Sequence, residues 1–323
     1  MSSIAAYQQW IEREISKQKY GKHPESLYEP IRYLMGIGGK RLRPLLTLLA
    51  YSFYKDDVKR IVPYATAVEV FHNFTLMHDD IMDQAPLRRG NATVHEKWNV
   101  NTAILSGDVM LVKVYDMFLT LESRQVKPVL EAFNRCAAGV CEGQQWDMEF
   151  ETTPIVSEKE YINMIRLKTA VLLGFSLELG AILAGAPKRD REILRDFGTN
   201  IGIAFQLKDD LLDAYADPKK FGKQVGGDII SNKKTWLLLK ALERSKGKTR
   251  QSLEALLTAK KFNKKEKVNA VKEIYNALDI PALAAKKADQ YFEKAFRQLQ
   301  QIKVFQADAR LAGFVETLAQ RQS

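Results

Sequence analysis

Apolar residues recur at three- and four-residue steps along nearly the whole chain, and that one pattern commits it to helices. The periodic segments are Ile4 to Lys17, Leu45 to Tyr54, Ile61 to Met82, Thr102 to Leu121, Val126 to Gly143 and Glu158 to Ala184. They continue with Asp190 to Tyr215, Thr235 to Leu242, Arg250 to Leu257, Lys264 to Ala277 and Ile280 to Ile302. Alternating strand patterns bounded by hairpin turns are missing. Long helices joined by short Gly/Pro breaks pack as an all-α helical bundle. There is no long linker, low-complexity tract or short repeat, so the 323 residues, 46% of them hydrophobic, are read as a single domain, 1–323. The most apolar stretch, Thr169 to Ala186, is interrupted by Ser176 and Glu178, which makes it a buried helix and not a membrane span.

The formal net charge is +10, which suits nucleic acid, an anionic membrane surface or anionic small substrates. Position decides between these better than the total does. Cys136 and Cys141 match no metal spacing and no disulfide framework, as in a reduced cytoplasmic protein. The N-terminus turns charged and amphipathic within a few residues and lacks the apolar core of a signal peptide.

Two copies of one motif carry the chemistry: Asp79-Asp80-Ile81-Met82-Asp83 and Asp209-Asp210-Leu211-Leu212-Asp213. In each, the first and last Asp are four apart and project from one helical face. Such a pair cannot share a dry pocket without a cation. Magnesium is the natural one, since it is hard and bridges a few carboxylates to substrate phosphates. Each motif follows an apolar run, Phe71 to His78 and Ile201 to Leu207, which places it at the end of a core helix facing a common cavity. A solvated acidic helix face explains one such motif well and two poorly. Cations follow both: Arg88-Arg89 after the first, and Lys219, Lys220, Lys223, Lys233 and Lys234 after the second. Carboxylates for metal with Arg and Lys for phosphate oxygens equip a polyphosphate site. A helical nucleic-acid binder explains the basic charge but not the carboxylates that precede the cations.

Together these residues resemble the trans-isoprenyl diphosphate synthases, over nearly the whole chain and in the family's motif order. Gly38-Gly39-Lys40-Arg41-Leu42-Arg43-Pro44 is similar to its GGKxxRP loop, and Arg88-Arg89-Gly90 to the RRG after the first aspartate motif. Gly143-Gln144-Gln145-Trp146-Asp147 is similar to its GQxxD, Lys168-Thr169 to its KT pair, Gln206 through Asp213 to its second aspartate motif, and Gly222-Lys223 through Asp228 to its GKxxGxD loop. The resemblance implies an all-α isoprenoid-synthase fold around a deep central cavity, a homodimer, and three magnesium ions. Carried over by position, it implies that Asp79, Asp83 and Asp209 hold the metal, supported by Asp80, Asp210 and Asp213. Arg88, Lys168, Lys223 and Lys233 grip the allylic diphosphate. Lys40, Arg43, His72 and Arg89 bind isopentenyl diphosphate. Thr169 and Gln206 stabilise the developing cation, and Asp147 orders metal-bound water. Trp146 is taken as core, and Phe205 as either cavity lining or core.

The implied reaction ionises an allylic diphosphate and adds the double bond of isopentenyl diphosphate to the cation, lengthening the chain by five carbons. No nucleophilic Ser or Cys is required. In the family, side chains just upstream of the first motif close the tail cavity. Phe74 and Thr75 lie five and four residues before Asp79, and Phe74 resembles a floor. Thr75 is small, and the motif lacks a two-residue insertion, which resembles the geranylgeranyl enzymes of archaeal type. The implied product is geranylgeranyl diphosphate, with farnesyl diphosphate the runner-up. A class I terpene cyclase is disfavoured by the Asp-rich second motif and by the presence of the Gly38–Pro44 loop.

Overall fold

Ser3, Asn99, Ser157, Thr235 and Asn263 each turn a side-chain oxygen onto the free amides that open a helix. At Ser157 the cap is reciprocal, because the Glu160 carboxylate returns to the Ser157 N–H. The computed structural model describes residues 3–216 and 226–302, with 311, 313 and 315. Within these the chain is almost wholly helical. In order come α1 (Ile4–Lys17), α2 (Glu25–Gly36), α3 (Leu42–Ser52), a short 3-10 turn (Val58–Ile61), α4 (Val62–Met82), strands β1 (Leu87–Arg88) and β2 (Asn91–Ala92), α5 (Val94–Lys97) and α6 (Val100–Leu119). There follow α7 (Ser123–Thr152), α8 (Glu158–Ile165), a π-helical turn (Arg166–Ala170), α9 (Val171–Leu183), α10 (Lys188–Tyr215) and α11 (Gly227–Ile230). The last described helices are α12 (Trp236–Arg244), α13 (Gly247–Thr258), α14 (Lys264–Ala277) and α15 (Ile280–Leu299).

The chain divides into two compact units. The first takes residues 3–137 and 172–195. Its centre is Phe133, whose ring meets Phe71 edge-on at 5.0 Å, Phe118 at 5.4 Å and Phe175 at 5.7 Å. Rings at these spacings favour edge-to-face contact. Every residue of α9 from Leu172 to Leu183 is buried, as expected for a core helix. It seats against α3 through Gly180, where a Cβ would collide with the Thr47 carbonyl. The second unit takes residues 138–171, 196–216 and 226–301. Its core joins Tyr161, Met164, Trp236, Leu238, Val271 and Ala284.

Several sequence expectations need correction. Helix α2 was not among the expected segments; its Pro30 is buried with Ile31, Leu34 and Met35, and that packing outweighs the lost hydrogen bond. Helix α7 runs on to Thr152, beyond the expected Gly143, and α15 stops at Leu299. The segment expected as one helix from Glu158 to Ala184 is broken by the π turn. A hairpin is present after all: Arg89 and Gly90 both have positive φ (52° and 77°), the conformation a two-residue hairpin turn demands. Trp146, taken as core, is 36% exposed on α7.

Candidate active site

In the first unit, helix α4 ends in the first motif: Asp79 is half-buried, Asp80 buried and Asp83 exposed at the C-cap. The hairpin brings Arg88 onto Asp80. Its Nε donates to both carboxylate oxygens at 2.9 and 2.8 Å, and its Nη2 to Oδ1 at 2.6 Å. Burial holds the Asp80 carboxyl above its ordinary range, with Arg88 working against that. Arg88, expected on a diphosphate, is therefore already engaged by the motif's middle carboxylate, with Asp79 Oδ2 3.8 Å away.

The four residues expected to hold a second diphosphate also lie in this unit. Arg43 Nη1 donates to His72 Nε2 at 3.0 Å. Burial, and then the charges of Arg43, Arg89, Arg88 and Arg41, push His72 well below its ordinary value, so it is neutral and accepts at Nε2. Burial also lowers Arg43 to about 10, and its Nε is buried without a hydrogen-bond partner. Arg89 reaches back to the Gly38 carbonyl and lies against Gly39, where a Cβ would strike the guanidinium. Lys40 is exposed on the same loop. A buried donor left unmatched beside a neutral imidazole and a second guanidinium is a local excess of positive charge, which an anion would relieve.

Sequence reasoning missed Arg41. It is 4% exposed and bonds Glu12 and Glu69, each at 2.9 Å, and the Met35 carbonyl. The signal was there: Glu69 sits between Val68 and Val70 in an apolar run, and a buried carboxylate needs a cation. Phe74, 8% exposed, packs between Phe71 (5.6 Å) and the edge-on ring of His78 (4.8 Å). Thr75 donates to the His72 carbonyl on its own helix.

In the second unit the same spacing is built differently. Asp209 is exposed, Asp210 buried and Asp213 half-buried near the end of α10. The buried middle carboxylate takes neutral donors: the Tyr161 hydroxyl at 2.5 Å and Gln206 Nε2 at 3.2 Å. Gln206 Oε1 in turn accepts from Thr169 Oγ1 at 3.2 Å. Burial pushes Asp210 up to about 7, and burial with the nearby Asp213 pushes Asp228 up to about 6. The Asp228 N–H donates to Asp213 Oδ2 at 3.0 Å. Asp147 lies between two ammonium groups, Lys168 at 2.6 Å and Lys233 at 3.5 Å. They outweigh its burial and hold its carboxyl below the ordinary range. Lys168 and Thr169 stand on the π turn, a form common at functional sites. Gly143 and Gly202 let α7 and α10 approach that turn, since a Cβ at either would run into its backbone. Phe205 packs against Phe292 at 5.7 Å. Tyr161 was not anticipated, and Lys219, Lys220 and Lys223 lie outside the described residues.

Among the described residues no group of three His, Cys, Asp or Glu side chains is arranged to hold a metal. Each motif commits its middle Asp to a side-chain partner, Arg88 for Asp80 and Tyr161 for Asp210, while Asp79 lies 3.8 Å from Arg88 and Asp213 accepts from the Asp228 amide. Pairs of hard oxygen donors fit a divalent cation such as magnesium, which retains water and takes phosphate oxygens as further ligands.

The model of one protein family, polyprenyl synthetase, matches residues 24–278. A short chain isoprenyl diphosphate synthase of Methanocaldococcus jannaschii is 39% identical over 272 residues, 84% of this chain and 81% of that one. A geranylgeranyl diphosphate synthase of Sulfolobus acidocaldarius is 39% identical over 281 residues, 85% of this chain and 84% of that one. The crystal structure of a geranylgeranyl pyrophosphate synthase superposes with a TM-score of 0.95 at 41% identity, covering 100% of both chains. With its two aspartate motifs intact and its fold matched from end to end, the chain belongs to the polyprenyl synthetase family.

Proposed function

We propose that this chain condenses isopentenyl diphosphate head-to-tail with allylic diphosphates and releases diphosphate, with geranylgeranyl diphosphate as its main product. It is a prenyltransferase with the all-α isoprenoid-synthase fold, and relatives named for the same product support the chain length. The observation that carries the reading is the excess of positive charge around Arg43, His72 and Arg89, in a unit that also carries an intact aspartate motif. A class I cyclase has no need of that second anion site.

The family works with a divalent metal. Asp79, Asp83 and Asp209 are the residues we assign to it, as three magnesium ions, with Asp80, Asp210 and Asp213 in support. Bound metal draws charge from the allylic diphosphate and makes it a better leaving group. Arg88, Lys168, Lys223 and Lys233 grip that diphosphate, while Lys40, Arg43, His72 and Arg89 hold the second one. Thr169 spends its proton on Gln206, so its oxygen lone pairs remain free to face a developing cation. Phe74 closes the tail cavity, and the small Thr75 leaves it deep enough for twenty carbons.

The chain acts as one catalytic domain and as a homodimer in the cytoplasm. In support of the dimer, α6 keeps Leu105, Val112 and Leu119 more than half exposed (58%, 56% and 60%), an apolar stripe suited to a second copy. No described helix is long and apolar enough to cross a membrane. The deciding experiment supplies isopentenyl diphosphate with dimethylallyl, geranyl or farnesyl diphosphate, with and without magnesium, and resolves products by mass. A magnesium-dependent twenty-carbon diphosphate supports the proposal. A fifteen-carbon product replaces the chain-length reading with the farnesyl one, and no condensation from any starter overturns the function.

A further inference from the structure

The bend between α13 and α14 reads Lys260-Lys261-Phe262-Asn263-Lys264-Lys265, and every one of these residues is exposed. Four ammonium groups crowd six residues, and Phe262, a large apolar side chain, is 41% exposed among them. The crowded charge does not help the fold, nor does the exposed part of the ring. Like charges repel, and an aromatic ring in water forfeits its burial. The ring is nonetheless held in place. Lys267, 2% exposed, sets its Nζ 4.2 Å from the centre of the Phe262 ring. The same ammonium donates to Asn232 Oδ1 at 2.6 Å and toward the Ile230 carbonyl at 3.4 Å. Asn263 fixes the other side of the bend by capping α14 through the amides of Lys265 and Glu266.

We propose that this bend docks the enzyme on the surface of an anionic lipid bilayer, with Phe262 as the interfacial anchor and Lys260, Lys261, Lys264 and Lys265 on the headgroups. The charge is complementary and the geometry is that of an interfacial contact: a ring at headgroup depth inside a ring of cations. Single-stranded RNA fits less well. It favours the planar fork of Arg and several stacking rings, whereas the bend offers only lysines and one ring. Position adds a reason. Asn232, tied to the bend through Lys267, precedes Lys233 of the diphosphate-binding residues. On the function proposed above, the bend is thus joined through Asn232 to the chain neighbour of a diphosphate-gripping lysine.

The test is co-sedimentation of the full chain with vesicles, and it does not depend on the proposed reaction. One set is phosphatidylcholine alone and the other an equal mixture with phosphatidylglycerol, each at low and high salt. The wild type is expected to pellet with the mixed vesicles at low salt only. Each lysine changed to Gln lowers the partition coefficient by roughly fivefold. Combining Lys260→Gln, Lys261→Gln, Lys264→Gln and Lys265→Gln abolishes binding, and Phe262→Ala weakens it by roughly tenfold. Circular dichroism of these surface variants should match the wild type. Failure of the wild type to bind the mixed vesicles overturns the proposal. So does a quadruple variant that pellets like the wild type, or one that loses poly-uridylate binding while keeping the vesicles.

Discussion

The imidazole of His78 fills the space that a side chain on Gly107 would occupy. From there His78 Nε2 donates to the Ile104 carbonyl at 3.2 Å, and its ring meets Phe74 edge-on. Helix α6 thus locks α4 one turn above Phe74. Replacing Gly107 by Ala forces the imidazole out, at about 1–3 kcal/mol of stability for an overpacked site. It also frees the Phe74 ring, so mass analysis should find longer products in the mixture. A lowered melting temperature with an unchanged distribution would show that the contact only supports the fold.

Phe74→Ala should act more directly. The ring is 8% exposed, and its loss opens a cavity at a cost of about 3–5 kcal/mol. The product is expected to lengthen by at least one five-carbon unit from the same starters. An unaltered product would remove Phe74 from the role of floor.

Arg41→Met should be among the most damaging substitutions in the first unit. It strands Glu69, 2% exposed, without its cation, and removing one partner of a buried pair costs about 3–5 kcal/mol. Denaturant unfolding would measure it. The double variant Arg41→Met with Glu69→Met should recover much of the loss, because no buried charge is then left unpaired.

Glu158 sets an acid limit. Burial would raise its carboxyl, but hydrogen bonds and charge from Lys240 (2.6 Å) and Lys287 (2.7 Å) outweigh that and hold it at about 2. The folded value lies below the ordinary 4.5, so the stabilisation is full above 4.5 and fades as pH falls toward 2. With solvent screening it is on the order of 1–2 kcal/mol. Glu158→Gln should flatten the acid limb of a stability–pH curve in that window; an unchanged limb would mean the pair contributes nothing there.

What could be read from sequence followed from how local each signal was. The bounds of α1 and α14 matched the expected segments, because each of these helices buries one stripe, and α4, buried on all sides from Ala65 to Phe71, ended where expected at Met82. The aspartate motifs declared themselves by spacing. Partnerships did not. Two motifs of the same spacing proved to hold their middle carboxylates by different means, Asp80 through Arg88 and Asp210 through Tyr161, and the second partner lies 49 positions away. Nothing in the periodicity near Tyr161 marks that contact. Helix α2, which carries Pro30 in its interior, was not among the expected segments, and the hairpin puts an Arg in a turn position usually given to Asn or Gly.

The wide turn at Arg166–Ala170 has a consequence for how this sequence can change. A π turn holds one residue more than the α-helical track it replaces. Deleting a single residue there would shorten no loop. It would restore a regular α-helical track, leave α9 in its register and remove the wide turn that carries Lys168 and Thr169. A deletion within α9 itself turns everything after it by about 100°, and since every residue from Leu172 to Leu183 is buried, the remainder would present the wrong face. A length change that the buried helix forbids can be absorbed at the turn, where its cost falls on the placing of Lys168 and Thr169.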